Sequence, residues 1–207
     1  MFNTIVLPTM LGVATVAGAG MIVPQVARLH RTGTTDGVSA TWIGVGIAMN
    51  LWWLAYAVAI GRLGLIPVSV GGAALYGVMA LQLVGLLGPS ALGPVARGHL
   101  IGLAPAAALV AGGWPAAGLT IGLLYGAVFA PAVWSALRSP SVAGISTVTW
   151  VLAWLEAVVW LIYGASTSDV ALLVGGLGGT VMSSIILLRL GGARAWNPRR
   201  PIGVPAG

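Results

Sequence analysis

The chain has 207 residues, of which 58% are hydrophobic and only 6% are charged, with nine arginines but no lysine and no cysteine. Soluble globular domains carry about 25% charged residues, so this composition excludes an ordinary water-soluble enzyme and a disordered polymer. The lack of cysteine excludes disulfides, thiolate chemistry and iron–sulfur clusters. Arginines scattered among apolar runs do not form a nucleic-acid-binding face. The sequence therefore predicts an all-α membrane protein surrounded by membrane lipids.

Seven apolar runs, none with more than one charged residue, are long enough to cross the ~30 Å hydrocarbon core of a bilayer, which takes roughly 20 helical residues. In chain order they are residues 5–27, 40–60, 64–87, 92–112, 116–137, 146–165 and 170–190. Turn residues or charges separate them. The first run has no positively charged segment before it, so we interpret it as a helix and not as a cleaved signal peptide.

The arginines predict the orientation of these helices. With the amino end outside, eight of the nine arginines fall on the inner side and only Arg62 falls outside, as the positive-inside rule requires. Removing the fourth helix would place Arg138 outside as well. The carboxyl end, with a basic cytoplasmic tail at 191–207, is then inside, where anionic lipids attract it. We expect a multi-pass plasma-membrane protein, and the composition rich in glycine, alanine and arginine is typical of a bacterial genome.

Comparison of the chain with itself reveals an internal repeat. A shift of 107 residues aligns, without a gap over about 65 positions, Pro8 with Pro115, Pro24 with Pro131, Arg31 with Arg138, Trp53 with Trp160 and Tyr56 with Tyr163. Two three-helix units joined directly would be inverted, and a linker helix between them restores a parallel arrangement. The sequence predicts a first repeat at 1–88, a linker helix at 89–113 and a second repeat at 114–190. A binding site shared by such repeats lies near the membrane midplane.

Motifs at the aligned positions resemble a known family. The first unit contains Pro24-Gln25, Gly37-Val38-Ser39 and Asn50-Leu51-Trp52-Trp53-Leu54-Ala55-Tyr56. The second contains Pro131-Ala132, Gly144-Ile145-Ser146 and Trp160-Leu161-Ile162-Tyr163. Each set resembles a PQ-loop repeat, and the 3+1+3 layout of residues 5–190 resembles the SWEET sugar-transporter family. The resemblance implies a transporter that moves a small polar solute, with a sugar as the first expectation, by alternating access between the two repeats.

The resemblance and the spacing together indicate the substrate-binding residues. Trp53 and Trp160 are equivalent in the repeat and lie deep in their helices, so we expect them to wall the site; helix packing is the alternative. The family tends to carry an asparagine in the third and seventh helices, and the corresponding positions here are Ser69 and Gly176. The remaining candidates are Asn50, Tyr56, Tyr163 and Glu156.

Glu156 is the only acid inside a predicted helix. It shares one helical face with Trp160 and Tyr163, at spacings of i+4 and i+7. An ionised acid facing lipid costs ~2.5–3.5 kcal/mol, so intramembrane acids usually face a cavity or a partner. Our hypothesis is that Glu156 binds a proton or a cationic group of the substrate. The alternative is a neutral acid hydrogen-bonded within the bundle.

Proline and glutamine near the predicted inner helix ends are candidates for a gate. Pro24 and Pro131 each remove a helical hydrogen bond and are expected to act as hinges, with a static bend as the alternative. Gln25 is expected to hydrogen-bond across helices there, with simple solvation as the alternative.

Three functions remain open on the sequence alone. The first is a sugar transporter, the second a proton-coupled transporter of an amino acid or other metabolite, and the third a non-transporting PQ-loop receptor or scaffold. An intramembrane acid favours the coupled transporter over a plain sugar uniporter. We find no catalytic constellation, phosphate loop or metal-ligand cluster, so no enzyme activity, cofactor or metal is expected. The solute, the direction of transport and the oligomeric state stay open, with a homo-oligomer among the alternatives.

Overall fold

The computed structural model describes residues 2–33, 35, 38–138, 142 and 145–196. Every regular element in these ranges is helical, which confirms the all-α prediction. The helices are α1 (Phe2–Thr32), α2 (Ala40–Ala59), α3 (Ile66–Leu87), α4 (Leu92–Ile101), α5 (Ala104–Val128), α6 (Ala130–Arg138), α7 (Thr147–Thr167) and α8 (Val170–Trp196). Single 3-10 turns, Leu63–Leu65 and Gly88–Ala91, flank α3.

Five stretches of the described chain are long and apolar enough to cross a membrane. Four of them coincide with α1, α2, α7 and most of α8, whereas the fifth, Leu63–Arg138, has 76 residues and contains α3 to α6. Because one crossing takes roughly 20 residues, this stretch has the length of more than one crossing. Large apolar side chains such as Val16, Leu81 and Leu188 are exposed on the helix surfaces. These features are compatible with a multi-pass membrane protein.

Two glycines with positive φ interrupt the long stretch. Gly88 follows α3 and Gly113 lies inside α5, both with φ of 67°, a conformation that glycine adopts without steric cost. The chain is non-helical at Gly112 and Gly113.

Several helices differ in extent from the apolar runs that predicted them. The run 92–112 consists of α4 and the start of α5, and the run 116–137 consists of the end of α5 and α6. Both interruptions precede a proline, Pro105 or Pro131, because proline has no N–H for the helical ladder. At the carboxyl end, α8 continues to Trp196, beyond residue 190 where the last run ends. The rest of the predicted tail, 197–207, lies outside the described residues, as do Gly37 and Gly144 of the repeated motif.

Serine caps begin α2 and α7 at equivalent positions of the repeat. The Ser39 hydroxyl accepts a hydrogen bond from the backbone N–H of Trp42 at 3.2 Å. The Ser146 hydroxyl accepts one from the backbone N–H of Thr149 at 3.3 Å. Such caps satisfy backbone donors that a helix N-terminus leaves unpaired. Both capped helices therefore begin where the repeat alignment pairs them.

The helices pack in two groups. In one group α3 lies between α1 and α2, with α4 against the outer side of α2. In the other, α8 lies between α5 and α7. The groups meet where α1 packs on α7 and where α2 packs on α5. Residues from both groups form one buried cluster, which includes Ala14, Ala57, Leu65, Trp160 and Leu172.

Glycines allow the closest helix contacts. A Cβ atom on Gly44 or on Gly98 would strike the backbone of the other helix of the α2–α4 pair. A Cβ atom on Gly126 of α5 would lie 3.1 Å from the Cα of Gly178 in α8. A Cβ atom on Gly176 would strike the α7 backbone at Leu161. Small residues of this kind let membrane helices approach one another.

Candidate functional site

A cavity of about 930 Å³ lies between the two groups of helices. This is within the usual range for small-molecule sites, roughly 300–1,000 Å³. Eight of the residues singled out in the sequence line it: Pro24, Gln25, Asn50, Trp53, Ser69, Glu156, Trp160 and Gly176. They come from α1, α2, α3, α7 and α8. Tertiary packing thus brings together candidates that are up to 152 residues apart in the chain.

The cavity runs between two ends of the helix bundle. At one end, here called the Arg28 end, it is lined by Arg28, Ser39 and Ser146, and Arg28 is exposed. At the other, here called the Asp169 end, its wall includes Leu65 and Leu172, each 2% exposed. The residues that line the Arg28 end are therefore exposed, whereas buried side chains cover the cavity toward the Asp169 end.

Aromatic rings form much of the cavity wall. The Trp53 ring lies 6.4 Å from that of Tyr125, which lies 5.5 Å from Phe129, and Phe129 lies 5.8 Å from Trp150. All three pairs meet edge to face, an arrangement that aromatic quadrupoles favour. On the other side of the cavity, Trp42 and Tyr76 also meet edge to face, with centroids 4.9 Å apart. The wall offers ring surfaces on several sides of a bound solute.

Glu156 lies in the wall and is 5% exposed. One of its oxygens accepts a hydrogen bond from the indole N–H of Trp160, and the other accepts one from the hydroxyl of Tyr125, both at 3.3 Å. Gly18 of α1 packs on the carboxylate, since a Cβ there would be 2.7 Å from Oε1. The helical face expected for Glu156 and Trp160 is therefore present. Tyr125 was not anticipated, because only packing brings α5 to this face of α7.

Asn50 and Ser69 contribute further polar groups to the wall. The Asn50 amide donates to the carbonyl of Gly46 at 2.8 Å, a turn earlier in α2. A side chain on Gly72 would collide with this amide, so α3 leaves room for it. The buried hydroxyl of Ser69 has no hydrogen-bond partner among the described residues. Ser69 thus has hydrogen-bonding capacity left for a ligand.

Tyr56 and Tyr163, both expected in the binding site, are not in the cavity wall. The hydroxyl of Tyr56 donates to Oδ1 of Asp169 at 3.0 Å. Tyr163 is buried behind Trp160, with ring centroids 6.0 Å apart. Each tyrosine stands one helical turn beyond its tryptophan, which takes it past the end of the cavity. Gly176 lines the wall but packs tightly on α7 at Leu161 and has no side chain to bind a solute.

The Asp169 end is closed by a polar cluster that sequence reasoning missed. Asp169 is 4% exposed, and its Oδ2 lies 3.5 Å from Nε of Arg62. Arg62 also donates to the backbone carbonyl of Thr167 at 2.9 Å. Asp169 caps α8 by accepting from the backbone N–H of Leu172 at 3.3 Å. The available signals were the isolation of Arg62 from the other arginines and an acid directly before a helix.

The gate candidates lie toward the Arg28 end. Pro24 is inside α1, and both Pro24 and Gln25 line the cavity. Pro131 lies in α6, directly after the break at Phe129. Its side chain is outside the described part of the structure, while the neighbouring Ala132 lines the cavity. Pro24 therefore interrupts the hydrogen-bond ladder of α1, whereas Pro131 lies in the first turn of α6, where a backbone N–H would have no helical partner.

The chemistry of the wall is that of a binding site. It combines aromatic surfaces, the carboxylate of Glu156, the amides of Gln25 and Asn50, and several hydroxyls that include that of Ser69. Among the described residues no group of three histidine, cysteine or acidic side chains is placed to hold a metal ion. Comparison with protein-family models, with curated proteins and with solved structures found no match to this chain.

Proposed function

We propose that this protein is a membrane transporter that moves a small polar solute by alternating access between two parallel three-helix repeats. In this proposal α1 to α3 form the first repeat, α4 and the start of α5 form the linker, and the remaining helices form the second repeat. The amino end lies outside and the carboxyl end inside. The observation that carries the proposal is the cavity between the two groups, which is lined by exposed residues at one end and by buried residues at the other.

The packing supports the two repeats. In each group the helix that comes third in its repeat, α3 or α8, occupies the middle position. The contact of α1 with α7 corresponds, under the shift of 107 residues, to that of α5 with α2. The two contacts join equivalent helices, although α1 packs on α7 more extensively than α2 packs on α5.

The contacts at the Asp169 end support alternating access. Tyr56 and Arg62 belong to the first repeat, whereas Asp169 and Thr167 belong to the second, so every bond between them crosses the interface. Rocking of one unit on the other breaks these bonds and opens this end, as in rigid-body transitions about an interface. In this proposal the Arg28 end faces the cytoplasm, as the positive-inside rule favours, and the cavity is reached from the inner side.

A sugar is the first candidate solute, on the resemblance to the SWEET family. Aromatic rings such as Trp53 and Trp160 provide flat surfaces for a sugar ring, and Asn50 and Ser69 provide hydrogen-bonding groups for hydroxyls. A proton-coupled transporter of an amino acid or other metabolite is the second candidate. The carboxylate of Glu156 in the cavity wall favours it, because titratable groups inside membrane proteins commonly mark ion or proton pathways.

The test is uptake of a radiolabelled panel of sugars and amino acids into proteoliposomes, with and without a pH gradient. We expect saturable uptake of at least one solute above the level of protein-free liposomes. Faster uptake in the presence of the pH gradient would support the proton-coupled transporter. Uptake that does not depend on the gradient would support the uniporter. Retention of ligand binding with no uptake of any panel member contradicts transport and favours a receptor.

A further inference from the structure

We propose that the solute carried in the cavity bears a protonated amine and that the Glu156 carboxylate binds this amine. The inference rests on the proposed transport function and adds the charge class of the substrate. It applies equally to an amino sugar and to an amine or amino acid without a sugar ring, because the carboxylate recognises the shared ammonium group.

The first argument is that Glu156 has no countercharge. Its hydrogen-bond donors, Trp160 and Tyr125, are neutral, and both distances of 3.3 Å exceed the roughly 2.7–2.9 Å of charge-assisted bonds. Among the described residues it forms no ion pair; the pair found joins Arg62 to Asp169. A carboxylate removed from water is costly unless it is paired. A cationic solute supplies that pairing when it binds.

The second argument concerns the other charge in the described wall. Arg28 is exposed at the mouth of the cavity. Gly18, on the same helix, packs on the Glu156 carboxylate, and ten residues of helix place Arg28 roughly 15 Å further along the axis. Arg28 is therefore too far away to neutralise Glu156. The deep part of the described wall therefore holds one carboxyl group and no cationic side chain.

The third argument is the aromatic lining. Ammonium groups are attracted to the faces of tryptophan, tyrosine and phenylalanine rings. Trp53, Tyr125 and Phe129 follow one another along the wall that holds Tyr125 against Glu156. An ammonium group is attracted both to the carboxylate and to the aromatic rings. A neutral hydroxyl is attracted less strongly to each of them, so this wall suits an ammonium group better.

The arrangement also orients the solute. The position equivalent to Glu156 in the first repeat is Met49, which lines the cavity without charge. The amine therefore binds on the α7 side. The remaining polar groups of the solute are left for Asn50 of α2 and the unpartnered hydroxyl of Ser69 in α3.

The experiment measures equilibrium binding and proteoliposome uptake of four probes: glucose, glucosamine, N-acetylglucosamine and lysine. Acetylation removes the charge of glucosamine and keeps its ring, so we expect glucosamine to bind at least about tenfold more tightly than its acetylated form. Glu156→Gln keeps the shape of the side chain and removes its charge. We expect this substitution to weaken binding of the amines by about 10- to 100-fold, because this is the range of affinity that a hydrogen bond to a charged group contributes. Lysine binding without glucosamine binding assigns the site to amines that lack a sugar ring, and the reverse assigns it to amino sugars.

Asp36→Asn is the matched control, because it removes the same formal charge in the sequence break between the first two predicted helices. It should retain the amine preference.

Equal affinity of wild-type protein for glucosamine and N-acetylglucosamine, with lysine unbound, overturns the inference without any variant. An unchanged preference in folded Glu156→Gln overturns it as well. Uptake of neutral sugar with no amine preference leaves the transport proposal standing, whereas amine-selective binding without uptake overturns transport alone.

Discussion

Trp53 and Trp160 are equivalent in the repeat, but their surroundings differ. Trp53 is partly exposed to the cavity and its ring meets Tyr56 and Tyr125 edge to face. Trp160 is 6% exposed and uses its indole N–H to hold Glu156. Trp53 is therefore free to stack on a solute, whereas Trp160 also positions the carboxylate.

Replacing Trp53 by alanine is expected to lower solute affinity about 5- to 150-fold. The estimate follows from the roughly 1–3 kcal/mol that a stacked ring contributes in nucleic-acid complexes. The measurement is equilibrium binding of the solute identified by the uptake panel. Trp154→Ala is the control, because Trp154 lies on α7 outside the cavity wall and bonds to Ser184. Unchanged affinity in both variants would refute a stacking role for Trp53.

Within single elements, proline decides where the helices of the wall can bend. Pro24 leaves the carbonyl of Gly20 in α1 without its usual helical partner. Pro24 lies toward the Arg28 end of the cavity, which must close in the other half of the proposed cycle. The same helix contains Pro8 near its other end, outside the cavity wall.

Pro24→Ala is expected to lower the transport rate several-fold more than it lowers affinity. The restored hydrogen bond stiffens the helix, and conformational steps often limit turnover. Initial uptake rates and binding constants of the same preparation check this, with Pro8→Ala as the control expected to match wild type. An equal loss of rate and affinity would instead indicate a direct solute contact or misfolding.

A second prediction about single elements follows from the close packing of α4 on α2. Gly98→Ala is expected to lower the free energy of unfolding by about 1–3 kcal/mol, the usual cost of overpacking, because its Cβ meets the α2 backbone at Thr41. Gly85→Ala is the matched control, since nothing lies within 4 Å of its Cβ. Thermal unfolding in detergent compares the two. Equal midpoints would show that α4 does not pack on α2 as described.

At the scale of the whole molecule, one ion pair and two hydrogen bonds between described residues hold the two groups of helices together at the Asp169 end. Asp169 forms the ion pair with Arg62 and accepts one of the hydrogen bonds, from Tyr56. It also caps α8 by accepting from the backbone N–H of Leu172. Because so many contacts involve this one buried acid, we expect a single substitution of Asp169 to alter the equilibrium between the closed and open arrangements of this end.

Asp169→Asn is expected to open the Asp169 end more often. It removes the charge that attracts Arg62 across the interface while keeping the size of the side chain. Because the chain has no cysteine, a single Ser69→Cys reports on the cavity without background. Labelling of this cysteine by a membrane-impermeant thiol reagent, applied from outside to intact cells, should accelerate several-fold in the Asp169→Asn background. An unchanged labelling rate would contradict closure by this cluster.

Particular residues show which features of the fold and of the candidate site could be predicted from the sequence. The helix predicted at 40–60 is α2 at Ala40–Ala59, because a serine cap and an uninterrupted apolar run are local signals. Helical periodicity also placed Glu156 and Trp160 on one face. The same periodicity predicted Tyr56 and Tyr163 for the binding site, and neither of them lines the cavity. Helical periodicity tells which face of a helix carries a side chain. It does not tell how far along the helix the cavity extends.

The sequence by itself determined the all-helical, apolar character of the chain and the residue types available to a site. These follow from composition and from local spacing. Only the tertiary structure decided that Leu65 and Leu172 cover the cavity, that Tyr125 reaches Glu156, and that Tyr56 bonds to Asp169 across 113 residues of chain. Such contacts depend on the packing of whole helices against one another, which no local pattern encodes.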